Sequence, residues 1–237
     1  MRLEKNNIIL EVFLVGELQV NCTLIYSTAS RDAVFFDPGN DFDGIINAVG
    51  QKQLKTLALI HTHAHFDHIG QSFDLKKKLG APLYLHQEDL PLYNSLPTQA
   101  SMFGHNVSKA HGPIDHPFTE TSPLQLEKEN SDLAPVFKSC RILHTPGHTL
   151  GGCCFYFDYF DTPVLIAGDT IFFRSVGRTD LPGGSFEALL SSIKEKILPL
   201  PPATIIIPGH GQETTVGDEN RYNPFIRTIR NKITPLV

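Results

Sequence analysis

No stretch of this chain is long and apolar enough to suggest a membrane span. The longest apolar run, Leu54–Ile60, is interrupted by Lys55 and falls far short of the ~20 residues a span needs. The start, Met1–Leu10, has no clean apolar core before a small-residue cleavage site; Glu4 and Lys5 interrupt it and Glu11 follows it. No secretory signal is read there, and a cytoplasmic location without membrane attachment is expected. Basic runs are scarce too. The longest is Lys76-Lys77-Lys78, and 20 basic residues face 25 acidic ones for a net charge of −5, which argues against a nucleic-acid partner. Cysteine is limited to Cys22, Cys140, Cys153 and Cys154, with no C-x-x-C pair. Adjacent Cys153 and Cys154 would bridge only under strain, so reduced, mostly buried thiols are expected rather than a disulfide frame or a thiolate metal site. With 41% hydrophobic and 19% charged residues the chain is not disordered. No composition shift or low-complexity tract divides the 237 residues, and one domain over 1–237 is expected.

What the chain has is histidine, 11 of them, several beside Asp and Gly at the ends of apolar runs. Strand-like runs are Ile8–Val15, Cys22–Ser27, Ala33–Phe36, Thr56–Ile60 and Pro82–His86, then Lys138–His144, Cys153–Tyr159, Pro163–Ala167 and Thr204–Ile207. Asp37-Pro38-Gly39 breaks the chain. Phe42–Val49 and Asp67–Leu79 read as helices, the second ending at Gly80. Ser185–Ile197 reads as an amphipathic helix with Phe186, Leu189, Leu190, Ile193 and Ile197 inward and Ser185 as N-cap, and the end of the chain as further helix. From Asn94 to Asn130 the pattern is lost in Pro, Ser, Thr, Gly and His, and this stretch is read as a lid. Strand groups followed by helix–strand units, given twice, predict two packed sheets with helices outside.

Four polar clusters each follow a predicted strand: His61-Thr62-His63-Ala64-His65-Phe66-Asp67-His68, His144-Thr145-Pro146-Gly147-His148, Gly168-Asp169-Thr170 and Pro208-Gly209-His210-Gly211. Loops at strand ends converge from rigid platforms, and the flanking Gly and Pro permit the tight turns that aim side chains at a common point. Imidazole and carboxylate suit zinc and related ions. His63 and His65 alternate and can face one way; Asp67 and His68 are adjacent and can serve a second ion. Asp169 offers two oxygens and can reach both. Spacing alone leaves open which pair of His61, His63 and His65 binds, and a helical segment would instead align His61, His65 and His68. Asp67 could also be only a helix N-cap. His144 reads as a supporting or structural group, and His86, His105, His111 and His116 as surface or lid residues.

At these residues the sequence resembles the metallo-β-lactamase-fold superfamily. Thr62-His63-Ala64-His65-Phe66-Asp67-His68-Ile69-Gly70 is similar to its T-H-x-H-x-D-H-x-G signature, and His148, Asp169 and His210 follow in the family's order. The resemblance implies an α/β fold, an αββα sandwich of two mixed sheets, with two divalent ions at one edge. One ion is then held by His63, His65, His148 and Asp169, the other by Asp67, His68, Asp169 and His210; His61 and His144 are not ligands in that pattern. Within the superfamily the likeness is to short glyoxalase II-like hydrolases. It rests on Leu18-Gln19-Val20-Asn21-Cys22, Asp37-Pro38-Gly39, Ser101-Met102-Phe103-Gly104, Gly168-Asp169-Thr170-Ile171-Phe172, Gly177-Arg178-Thr179-Asp180, Pro182-Gly183-Gly184 and Asn223-Pro224-Phe225.

Two features depart from full-length glyoxalase II. Too little chain follows His210 for its helical glutathione-binding domain, so none is expected. Its lysine-bearing loop is replaced here by Val176-Gly177-Arg178-Thr179. Tyr222–Arg227 resembles the segment whose arginine helps hold glutathione in the longer enzyme, which makes Arg227 and Arg178 candidates for a substrate carboxylate. Phe103 is a candidate for the acyl pocket.

The expected activity is therefore hydrolysis of an acyl thioester such as S-D-lactoylglutathione by hydroxide held between two ions ~3.5–4 Å apart. Asp67 is the catalytic candidate, a ligand that also orients the nucleophile. The thiol leaves without a strong acid because thiol pKa values lie near ~8.5. Zinc is the expected ion, with iron or manganese as alternatives. A persulfide dioxygenase with a single iron shares the fold and a Gly-Arg-Thr-Asp loop. A lactonase or phosphodiesterase would use the same centre with a different pocket, and a non-enzymatic metal scaffold is the remaining reading.

Overall fold

The computed structural model describes residues 1–105, 107, 112–121, 124, 126 and 131–231. Its first sheet has seven strands in sequence order. They are β1 (Arg2–Lys5), β2 (Ile8–Val15), β3 (Val20–Ser27), β4 (Asp32–Phe36), β5 (Lys55–Ile60), β6 (Leu83–His86) and β7 (His116–Phe118). Pairing is antiparallel from β1 to β4 and parallel from β4 to β7. The second half supplies β8 (Cys140–His144), β9 (Cys153–Phe157), β10 (Val164–Gly168), β11 (Ile171–Phe172), β12 (Ser175–Val176), β13 (Ile205–Pro208) and β14 (Thr214–Thr215). The five-stranded sheet runs β14-β13-β10-β9-β8, while β11 and β12 form a separate ribbon.

The two-residue period of a strand divides its side chains between faces. In β2, Ile8 and Leu10 join Val34, Phe36 and Ile60 in the layer between the sheets, where they meet Ile142, Phe155, Phe157, Val164 and Ile166. Ile9 points the other way and packs with Leu24, Phe35 and Leu59 beneath Ile45 and Leu75 of the outer helices Phe42–Lys52 and Ser72–Leu79. On the far side, Cys154, Tyr156, Leu165 and Ile206 pack against Leu189, Ile193 and Ile197. The expected layers are thus present, and β3, β4, β9 and β10 are buried along their whole length because helices or the facing sheet cover both sides.

Four details differ from the sequence reading. The predicted Asp67–Leu79 helix is two, Phe66–Ile69 and Ser72–Leu79. The break falls at Gly70-Gln71, where the Gln71 amide donates to Gly39 and its side-chain oxygen accepts from Phe42 N–H. The Ser185 N-cap is present, its hydroxyl accepting from Ala188 N–H, but the helix passes into a π turn at Ile193–Ile197. Phe186, predicted inward, is exposed in the first turn and meets the Phe225 ring instead. In the patternless stretch the helix Leu96–Met102 and strand β7 are formed. Residues 106, 108–111, 122, 123, 125 and 127–130, including His111, lie outside the described residues, and so does the lid reading where it falls on them. No helix among the described residues is long and apolar enough to cross a membrane.

Candidate metal centre

All four polar clusters lie at the C-terminal ends of strands β5, β8, β10 and β13. The parallel pairing of β10 with β13 puts Gly168 opposite Pro208, so Asp169 and His210 emerge side by side. The two sheets are also joined at this edge: Asn21 N–H donates to Gly209 O at 2.7 Å, and Cys153 N–H to Thr62 O at 2.9 Å. The Asn21 amide bonds Pro208 O and Gly211 O, bracing the His210 turn. A β-carbon on Gly209 would come within 2.0 Å of Asp169 Oδ1, so only glycine lets the two loops approach this closely.

Four imidazoles are held from behind and present Nε2 to a common space. Thr62 Oγ1 donates to Asp37 Oδ2 at 2.7 Å and so is free to accept from His63 Nδ1 at 3.0 Å. Asp37 Oδ2 also receives His68 Nδ1 at 3.0 Å. Arg178 O receives His148 Nδ1 at 2.8 Å, and Leu18 O receives His210 Nδ1 at 2.9 Å. His65 turns the other nitrogen inward, with Nδ1 2.9 Å from His148 Nε2. Two ring nitrogens thus face each other at hydrogen-bond distance. Ring nitrogens converging in this way suit coordination of a common ion.

Among the described residues, three sets bring one ligand atom each within 4.8 Å of one another: His63/His65/His148, His63/His68/Asp169 and Asp67/His68/His210. Asp169 spans them. Its Oδ2 lies 3.4 Å from His148 Nε2, and its Oδ1 lies 3.5 Å from His68 Nε2 and 3.8 Å from His210 Nε2. Asp67 Oδ2 is 3.2 Å from His210 Nε2 and 3.6 Å from His68 Nε2. His63 Nε2 and Asp169 Oδ1 are buried without a hydrogen-bond partner. Such orphaned atoms are destabilising unless something binds them, so the donor set fits a pair of divalent cations.

The electrostatics fit neutral ligands at His63 and His65 and a carboxylate at Asp169, with His68 as the exception. Burial, then the neighbouring His68, His148 and His65, hold His63 well below the usual imidazole range. Burial and His148 pull His65 down to about 3. Both rings are therefore neutral, as metal ligands must be. Burial works against ionisation of Asp169, but His68, His148 and His210 outweigh it and keep the carboxyl well below its ordinary value. Burial also opposes charge on His68, yet Asp67, Asp169 and Asp37 carry it well above the usual range.

The other candidates take separate places. His61 is fully buried with Nδ1 on Tyr84 O and Nε2 on Ser72 Oγ, facing away from the cluster. His144 bonds Leu150 O and stacks on His86. Asp67 lies within the Phe66–Ile69 turn rather than at its cap. Phe103 stacks on Phe66, which stands between His65 and Asp67 in the chain, and is partly exposed. The Arg178 guanidinium is engaged by both oxygens of Asp180 at 2.8 Å; the contact of this residue with the cluster is its carbonyl. Arg227 is exposed on the Pro224–Asn231 helix. Sequence reasoning missed the supporting carboxylates Asp37 and Asp89. The available signal was that each directly follows, or lies just past, a strand end, as the four clusters do.

The family model of the metallo-beta-lactamase superfamily matches residues 15–210. This chain belongs to that superfamily. It is 36% identical over 220 residues to hydroxyacylglutathione hydrolase GloC of Haemophilus influenzae, covering 92% of this chain and 98% of the relative. Among solved structures it is similar to the BLEG-1 B3 metallo-beta-lactamase, with TM-score 0.80, 36% identity and coverage of 92% and 99% of the two chains. It is also similar to TTHA1623 in a di-iron-bound form, with TM-score 0.77, 36% identity and coverage of 91% and 99%. The fold is the metallo-beta-lactamase fold, and the superfamily resemblance read from the sequence holds.

Proposed function

We propose that this superfamily member is a dinuclear-metal hydrolase acting on an acyl thioester of the S-D-lactoylglutathione class. The observation that carries the reading is Asp169, whose two oxygens face the His148 side and the His68 side separately. Two ion sites follow: His63, His65, His148 and Asp169 hold one, and Asp67, His68, His210 and Asp169 the other. When bound, such a pair supplies Lewis acidity and lowers the pKa of water toward ~7.

The remaining work belongs to the chain. Thr62, Asp37, Leu18 and Arg178 fix the ring orientations, so no ligand has to rotate when charge develops. Asp67, beside His210 at the mouth, orients the attacking water. Phe103, stacked on Phe66 and partly exposed, is the candidate to border the acyl group. Water adds its oxygen to the acyl carbon and the carbon–sulfur bond breaks. The products are a carboxylate and a thiolate, which needs no strong acid to leave; the two protons of the water pass to solvent. The thioester assignment is supported by the likeness to GloC.

The test is elemental analysis of protein purified from its own host without added metal, beside hydrolysis of S-D-lactoylglutathione. Two divalent ions per chain with turnover are expected. One iron per chain, no turnover, and oxygen uptake with glutathione persulfide would replace this reading with a dioxygenase.

A further inference from the structure

Asp89 lies beyond β6 at the end of a short 3-10 turn, Gln87–Asp89, and is fully buried. Its carboxylate touches neither ligand set directly. It grips the backbone on both sides of one of them. Oδ2 accepts from Ala64 N–H at 2.9 Å, the peptide between His63 and His65. The same oxygen accepts from Thr149 Oγ1 at 2.9 Å, the residue after His148. Oδ1 accepts from Gly151 N–H at 2.6 Å. One side chain thus ties a loop of the first sheet to a loop of the second. Position 151 is shaped to the joint, because a β-carbon there would come within 2.6 Å of Asp89 N.

The other ligand set is anchored elsewhere, His68 on Asp37 and His210 on Leu18 O. Only a carboxylate satisfies three donors with two acceptor oxygens in this way. A carboxamide would present its NH2 to either Gly151 N–H or Ala64 N–H and lose that arm.

We propose that Asp89 is a positioning residue that sets the spacing of His63 and His65 from His148, and through it the affinity of one ion site but not of the other. The inference rests on the ligand sets given under Proposed function. Outer groups that orient ligands typically change metal affinity by ~10–100-fold.

The test titrates the full chain, stripped of metal, with Co2+ against a competing chelator. H148A and H210A mark the two classes of site, each removing a different one. D89N is expected to weaken the class lost in H148A by ~10–100-fold and to leave the class lost in H210A unchanged. T149V removes one arm without changing charge; it should weaken the same class by a smaller factor, and it carries the test if D89N does not fold. Equal weakening of both classes, or a lowered melting temperature with both affinities intact, would overturn the proposal and leave Asp89 a packing residue. If H148A and H210A do not remove separate classes, the ligand sets themselves fail, whatever D89N does.

Discussion

Asp169 is the side chain on which both proposed ion sites depend, since each of its oxygens faces a different histidine set. Replacement by alanine should reduce the metal content to one ion per chain or less. It should lower turnover by more than the ~100-fold associated with loss of an outer-shell partner; metal analysis and steady-state kinetics check both. Retention of two ions with full activity would exclude the bridging role. Asp37→Asn acts one layer out. A carboxamide oxygen cannot both accept from Thr62 and hold His68 in place of two carboxylate oxygens. Co2+ affinity of the proposed site containing His68 should fall by ~10–100-fold, and the His148 site should weaken too, because Asp37 also holds the Thr62 hydroxyl that orients His63. At this scale the convergence of the candidate residues was legible because histidines flanked by Gly or Pro after apolar runs have few bland explanations. Asp37 and Asp89 were not, because a buried acceptor for backbone N–H groups has the same local sequence as a turn aspartate.

The elements are tied together through the aromatic layer between the sheets. Phe36 of β4 packs against Phe155 at 5.0 Å, Phe157 at 5.8 Å and Phe137 at 6.3 Å. Phe36→Ala should destabilise the fold by ~3–5 kcal/mol, read as a lower urea midpoint with unchanged m-value. Removing the Ser185 cap hydroxyl should cost about 1 kcal/mol, visible as a small drop in melting temperature. Runs rich in Val, Ile and Phe between turn residues, and the Ser185 cap, could be read directly from the residues. The split of Asp67–Leu79 into two helices could not, because it follows from Gln71 bonding to Gly39 and Phe42, distant in sequence. Phe186 was misplaced for a similar reason: its partner Phe225 lies on another helix.

For the whole molecule, acid is the revealing stress. His86 is buried, and burial with the adjacent His144 lowers its pKa to about 4. The unfolded chain takes up this proton near the ordinary ~6.5, before the folded one does. Stability from this group is therefore intact above pH ~6.5 and lost as pH falls toward 4. The stability gap between wild type and H86Q should shrink by up to about 3 kcal/mol from pH 7 to pH 4, measured by urea unfolding at each pH. A constant gap would show that His86 does not titrate in this way.

The ligands are also spread along the chain, from His63 before the midpoint to His210 near the end of the second sheet. During synthesis on the ribosome, His63, His65, Asp67 and His68 emerge well ahead of His148, Asp169 and His210. The first half must therefore begin to fold without the complete set of candidate ligands. Under the proposed ligand sets, neither ion gains its full coordination until the later strands have been made and docked.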